Sequence, residues 1–86
     1  MILIGDIGNT ETKICLINSN YKILKKIILP TKNINKHMLK KKLIFINKKK
    51  IYIKKSLFSS VVPKKFLIFK TFIQKKFKIR CIELKN

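Results

Sequence analysis

Acidic residues are nearly missing from this chain. Asp6, Glu11 and Glu83 stand against 22 lysines and arginines over 86 residues, for a formal net charge of +19. A site built from several carboxylates is therefore excluded. Alanine and tryptophan are absent, and Arg80 is the one arginine. Without arginine the planar fork that reads bases and grips phosphate pairs is scarce. That scarcity argues against a dedicated nucleic-acid surface, despite a charge that would otherwise suggest a polyanion partner. Lys, Ile and Asn dominate instead, the bias expected of an AT-rich coding sequence, with the lysines forming solvated faces. Cysteine is limited to Cys15 and Cys81, each alone in an apolar run. Together with His37 they are too few for a metal site. They read as buried structural thiols of a reducing compartment. No basic leader opens the chain, and charge interrupts every apolar run well short of a membrane span. The expected place is the cytoplasm. At this length the chain is one small domain, able to bury roughly 60–65% of its unfolded surface. It is too short for two lobes with a cleft between them.

What is present concentrates at the start. Ile2–Ile4 leads into Asp6, then into the turn Gly8-Asn9-Thr10, and a second apolar run, Ile14–Ile17, follows. Two β-branched runs around a Gly/Asn turn predict a β-hairpin. Gly8 permits close backbone approach, Asn9 and Thr10 bring donors, and Lys13 can meet a phosphate as a point charge. Asp6 can hold a divalent metal directly or through water. The plainer alternative is an ordinary hairpin whose Asp and Asn merely cap the turn.

The rest of the chain reads in order. Strand-like residues over 2–7, 12–18 and 21–29 predict a three-stranded meander, stopped by Pro30-Thr31. Ile34, Met38, Leu39 and Leu43 form one face of a helix over 33–43, where His37 is exposed among lysines. Lys48–Lys50 is a charged connection. Residues 51–58 read as strand four, ending in Ser59-Ser60-Val61-Val62-Pro63. Phe66, Phe69, Ile73 and Phe77 mark a helix over 64–77, and residues 79–84 a last strand. In this reading the two serines end strand four and cap the helix that follows. The order β-β-β-α-β-α-β predicts a mixed α/β sheet arranged 3-2-1-4-5, with strand one central and helices covering its faces. Asp6 then lies at the strand edge where ligands of such sheets collect, beside Ser59-Ser60.

Asp6-Ile7-Gly8-Asn9-Thr10, with Lys13 three residues on, resembles the phosphate-binding signature of type III pantothenate kinases. Ser59-Ser60-Val61-Val62-Pro63 is similar to that family's second recurrent segment, in the matching place. The resemblance spans the whole chain but only the front of a family member. It implies a ribonuclease-H-like N-terminal lobe (residues 1–86) of the acetate kinase, sugar kinase, Hsp70 and actin superfamily, with the second lobe missing. It implies ATP, Mg2+ and a monovalent cation (K+ or NH4+) as cofactors, pantothenate as substrate, and a homodimer for full-length members. Asp6 would position magnesium and phosphates. The stretch Asp6, Ile7, Gly8, Asn9, Thr10, Glu11, Thr12 and Lys13 would line the ATP phosphates. Glu11 departs from the neutral or basic residue usual there, and a carboxylate beside phosphates is unfavourable unless neutralised. The pantothenate pocket and the general base, in a Gly-x-Asp-Arg segment, would follow Asn86. The chain alone would then be inactive, a lobe or a non-catalytic remnant. The competing function is a small basic module that holds nucleic acid or an anionic surface through its lysine runs.

Overall fold

The computed structural model describes residues 1–85. Its elements are β1 (Ile2–Ile7), β2 (Glu11–Ile17), β3 (Ile23–Pro30), a 3-10 turn (Thr31–Asn33), α1 (Lys36–Lys42), α2 (Ile44–Lys48), β4 (Lys55–Ser60), α3 (Pro63–Phe77) and β5 (Cys81–Glu83). The five strands form one sheet in the order β3-β2-β1-β4-β5. β2 is antiparallel to both neighbours, and β4 runs parallel to β1 and to β5. β1 lies in the middle, as its uninterrupted apolar run requires.

The element order is as expected, but three boundaries move for physical reasons. The helix expected over 33–43 starts only at Lys36, where the Asn35 side chain accepts from the Met38 amide at 2.8 Å. It breaks at Leu43, and a short second helix carries Phe45 and Ile46 onto the core. Strand four begins at Lys55 rather than at 51, because its partner β1 begins at Ile2, opposite Lys55. The Lys54 amide donates to the Met1 carbonyl at 2.7 Å, and the residues before it have no ladder to join. At its other end the strand runs on through Ser59 and Ser60, beside Asp6 and Ile7. Neither serine caps α3, which starts at Pro63 with Val62 as its uncapped boundary. The Ser60 hydroxyl instead donates to the Val62 carbonyl and accepts from its amide.

A larger correction concerns the layers. The chain crosses from β3 to β4 and from β4 to β5 in the same direction over strands that run parallel. With a common right-handed crossover both helical connections must fall on one face. α1 does pack on α3. The helices therefore cover one face of the sheet, not both. That face holds Leu3, Ile7, Ile14, Leu16 and Phe58, all buried. Phe58 is the keystone, with its ring 4.8 Å from that of Phe69 and 6.4 Å from that of Phe66. It lies across Gly5, where an added Cβ would fall 2.0 Å from a Phe58 ring carbon. Cys81 is buried on the same side beside Ser56, whereas Cys15, expected to be buried too, is only half-buried. Burial pushes the Cys81 thiol above its usual range, against the opposing effects of the Ser56 hydrogen bond and the Lys70 charge.

Candidate phosphate-binding site

The turn between β1 and β2 is held from behind. The Gly8 amide donates to the Glu11 carbonyl at 3.0 Å. The Thr31 hydroxyl donates to the Gly8 carbonyl at 2.7 Å, and the Thr31 amide to the Thr10 carbonyl at 2.9 Å. The Thr12 and Thr31 hydroxyls meet at 2.8 Å in the interior. From the other side the Val61 amide donates to the Ile7 carbonyl at 3.0 Å. Carbonyls of the bend are thus engaged inward. Among the described residues no backbone carbonyl accepts from the Asn9 or Thr10 amide. A rigid bend with amides left over is suited to an anion. Gly8 is needed for its size, since a Cβ there would fall 2.9 Å from the Glu11 carbonyl.

Strand alternation decides which side chains can reach a ligand. Asp6 and Lys13 are cross-strand partners, and Ser59 is the neighbour of Asp6 on β4. The Ser59 hydroxyl donates to Asp6 Oδ1 at 3.0 Å. These residues emerge on the face without helices, at the C-terminal end of β1. Asn9 and Thr10 are exposed at the tip, and Glu11 is exposed on the same strand face as Lys13. Ile7 and Thr12, by contrast, are fully buried. Their side chains support the turn from the core, and only their backbone borders the bend. The eight residues singled out in the sequence therefore divide into a ligand-facing set and a supporting pair.

Three contributors had no strong signal in the sequence. Thr31 stood only as a strand stop, yet it bonds both carbonyls of the bend; its trace was a small hydroxyl residue after Pro30 at an otherwise apolar boundary. Glu83 and Lys85 border an open hollow of about 540 Å³ that also includes Asp6, Ser59 and Ser60. They pair loosely at 3.8 Å. A larger hollow, about 660 Å³, lies between α1 and α3, away from the strand ends and their polar groups.

The donor set can be weighed for magnesium. No three His, Cys, Asp or Glu residues cluster as metal ligands among the described residues. A caged metal is therefore out of place here, but Mg2+ keeps several waters and is commonly held by one carboxylate with substrate phosphates. Asp6, exposed and oriented by Ser59, fits that use. No helix among the described residues is long and apolar enough to cross a membrane.

Comparison with known proteins bears on the fold and the family. The fold is that of an N-acetylglucosamine kinase candidate from Porphyromonas gingivalis, with a TM-score of 0.68 at 24% identity, over 96% of this chain and 33% of the other. An N-acetylmannosamine kinase candidate from Listeria monocytogenes superposes with a TM-score of 0.59 at 18% identity, over 95% of this chain and 34% of the other. Both likenesses are of fold alone. In sequence, the chain is 58% identical over all 86 residues to a type III pantothenate kinase of Pelagibacter ubique, and spans 35% of that relative's length. The model of the type III pantothenate kinase family matches residues 2–86, and this chain belongs to that family.

Proposed function

We propose that this chain is the phosphate-binding N-terminal lobe of a cytoplasmic kinase that transfers the γ-phosphoryl group of ATP to the hydroxyl of pantothenate, the first step towards coenzyme A. The observation that carries the reading is the grouping of Asp6, Lys13 and Ser59 on one strand face beside a bend whose outer amides have no carbonyl partner. Each part has a role in phosphoryl transfer, where positioning and charge neutralisation dominate. The Asn9 and Thr10 amides and the Lys13 ammonium hold the phosphate tail. Asp6, its carboxylate turned by Ser59, would hold Mg2+, which when bound would neutralise charge on the phosphate oxygens. Gly8 and Thr31 keep the bend stiff, so that little ordering is left to the moment of binding. Glu11 shares the Lys13 side of β2.

The acids other than Asp6 are Glu11 and Glu83. We assign the general base, the pantothenate pocket, the monovalent cation (K+ or NH4+) and the homodimer contacts to the remaining two-thirds of a full-length kinase. The test is ATP binding by calorimetry, with and without magnesium. The chain is expected to bind Mg-ATP weakly, since it forms one wall of the cleft, and to show no turnover in a coupled pantothenate kinase assay. Asp6→Asn should remove the magnesium-dependent part of the binding. Lys13→Ala should weaken binding with or without metal by about 10- to 100-fold, the loss of a charge-assisted contact. Lys48→Ala, which removes the same charge remotely, should have little effect. Equal losses in all three variants, with a salt slope set by net charge, would mean non-specific polyanion binding instead.

A further inference from the structure

The hollow of about 660 Å³ between α1 and α3 has an apolar floor and a basic rim. Its volume falls within the roughly 300–1,000 Å³ of sites that take small molecules. Leu67, Ile68 and Phe72 of α3 supply the floor, and Leu67 is left 60% exposed there. Lys36 and Lys40, one turn apart on α1, and Lys75 and Lys76 on α3 border it. All four lysines are exposed, and neither helix offers them a carboxylate. Asp6, Glu11 and Glu83 lie on β1, β2 and β5, and Lys85–Glu83 is the one ion pair among the described residues. Four like charges around one apolar floor repel each other and make an anion the fitting counterpart. The frame is tied in place. The Lys65 ammonium donates to the Ile34 carbonyl at 2.9 Å and to the Lys32 carbonyl at 3.4 Å, which fastens α3 to the segment leading into α1.

We infer that this groove binds one free fatty carboxylate of medium chain length, its tail along Leu67, Ile68 and Phe72 and its carboxylate among the lysines. Nothing here depends on the kinase reading, since the groove shares no residue with the bend or with Asp6, Lys13 and Ser59. The lining calls for both halves of the ligand. A tail removes the Leu67 and Phe72 surface from water, which a phosphate or a nucleotide would leave wet. A carboxylate answers the ammonium groups, which a neutral hydrocarbon would leave unmet. Length follows from the helix rise. From Leu67 to Lys75, α3 climbs roughly 12 Å at about 1.5 Å a residue, the span of an extended decanoate. A protein partner is disfavoured by size, because a stable interface takes about 20–30 residues a side and nine line this groove. A second copy would set lysines against lysines in a chain of net charge +19.

Decanoate is the probe, kept below its micelle concentration and followed by calorimetry and by methyl NMR of the whole chain. One molecule should bind, with shifts at the Leu67 and Ile68 methyls and none at Ile7 beside the phosphate bend. Acetate, a head without a tail, and decyltrimethylammonium, a tail with the opposite charge, should each bind about tenfold or more weakly. Thr71→Glu sets a carboxylate in the groove and should weaken decanoate binding by about tenfold or more. Lys40→Gln with Lys75→Gln should weaken it by roughly three- to tenfold. Lys48→Gln with Lys49→Gln removes the same charge elsewhere and should leave it unchanged. Equal losses in the two lysine pairs, or several molecules bound with no preferred methyls, would mean adsorption to net charge and overturn the inference. Displacement of decanoate by ATP would overturn it as well, by placing the ligand at the bend. Binding to phosphatidylglycerol vesicles that Leu67→Gln abolishes, without binding of decanoate, would assign the groove to a membrane surface instead. Methyl shifts at Leu67 that grow with protein concentration alone would assign it to a second copy. Should a variant fail to fold, the unaltered chain decides: shifts confined to the groove support the inference, and shifts elsewhere overturn it.

Discussion

At the scale of single residues, the smallest side chains set the geometry. Gly5 was silent in the sequence, because an apolar strand with a glycine reads the same wherever the glycine falls. The structure gives it a partner, the Phe58 ring, with three ring carbons within 2.6 Å of where a Cβ would stand. Phe58 is fully buried and touches the rings of α3, so it has nowhere to go. Gly5→Ala should therefore destabilise the fold by about 1–3 kcal/mol, the usual cost of overpacking. Urea unfolding checks this, and Gly5→Ala with Phe58→Leu should recover part of the loss. Thr31 is the other example. Its hydroxyl is buried between the Gly8 carbonyl and the Thr12 hydroxyl. Thr31→Val keeps the shape but leaves both partners short of a donor or acceptor, at a cost of about 1–3 kcal/mol. The same variant should weaken ATP binding through a looser bend, whereas Thr31→Ser should preserve it. If Thr31→Val lowers stability but leaves ATP affinity unchanged, the clamp does not serve the site.

At the scale of elements, the ends are governed by caps and by the reach of a partner strand. The apolar stripe located α1 within the sequence, but not its start. Asn35 fixes that start by accepting from the Met38 amide. Asn35→Ala should cost about 1 kcal/mol in thermal or denaturant unfolding. The end of α3 is the converse case. Lys78 closes the helix in the left-handed region, at φ 59°, where glycine is at ease and a side chain is not. Lys78→Gly should therefore stabilise the protein by about 0.5–1 kcal/mol, and a fall in melting temperature would contradict the cap assignment. α2 escaped the sequence reading because five residues, Ile44–Lys48, carry too little periodicity to separate from a loop. Only packing holds it, through buried Ile46 and through Phe45, whose ring lies under the Lys25 ammonium at 4.3 Å.

At the scale of the whole molecule, charge is the dominant unbalanced quantity. Of the ion pairs, only Lys85–Glu83 forms among the described residues, and it is exposed. A net charge of +19 on a body 29 × 29 × 21 Å across repels itself. Moderate salt screens that repulsion over a length of about 10 Å at 0.1 M. The melting temperature of the isolated chain should accordingly rise as sodium chloride goes from about 20 to 200 mM, a range over which the screening length shrinks by about two-thirds. A flat or falling curve would mean that the lysines are already neutralised within the fold.

Much of this was settled by the sequence alone. The two β-branched runs, the Gly-Asn turn and the two helical stripes determined five strands in the order 3-2-1-4-5, because chain order and crossover hand leave few other sheets. The same residues determined the family, since Asp6 to Lys13 and Ser59 to Pro63 are local strings whose chemistry survives in one dimension. Tertiary structure decided what depends on neighbours distant in the chain. It set Ile7 and Thr12 inward and Asp6 and Lys13 outward, because one-residue alternation is fixed only when the helices choose a face. It brought Thr31 to the bend and Ser59 to Asp6, contacts across 23 and 53 residues that no local pattern encodes. It also placed both helical layers on the same side, leaving uncovered a face whose apolar residues are, in sequence, indistinguishable from those of a core.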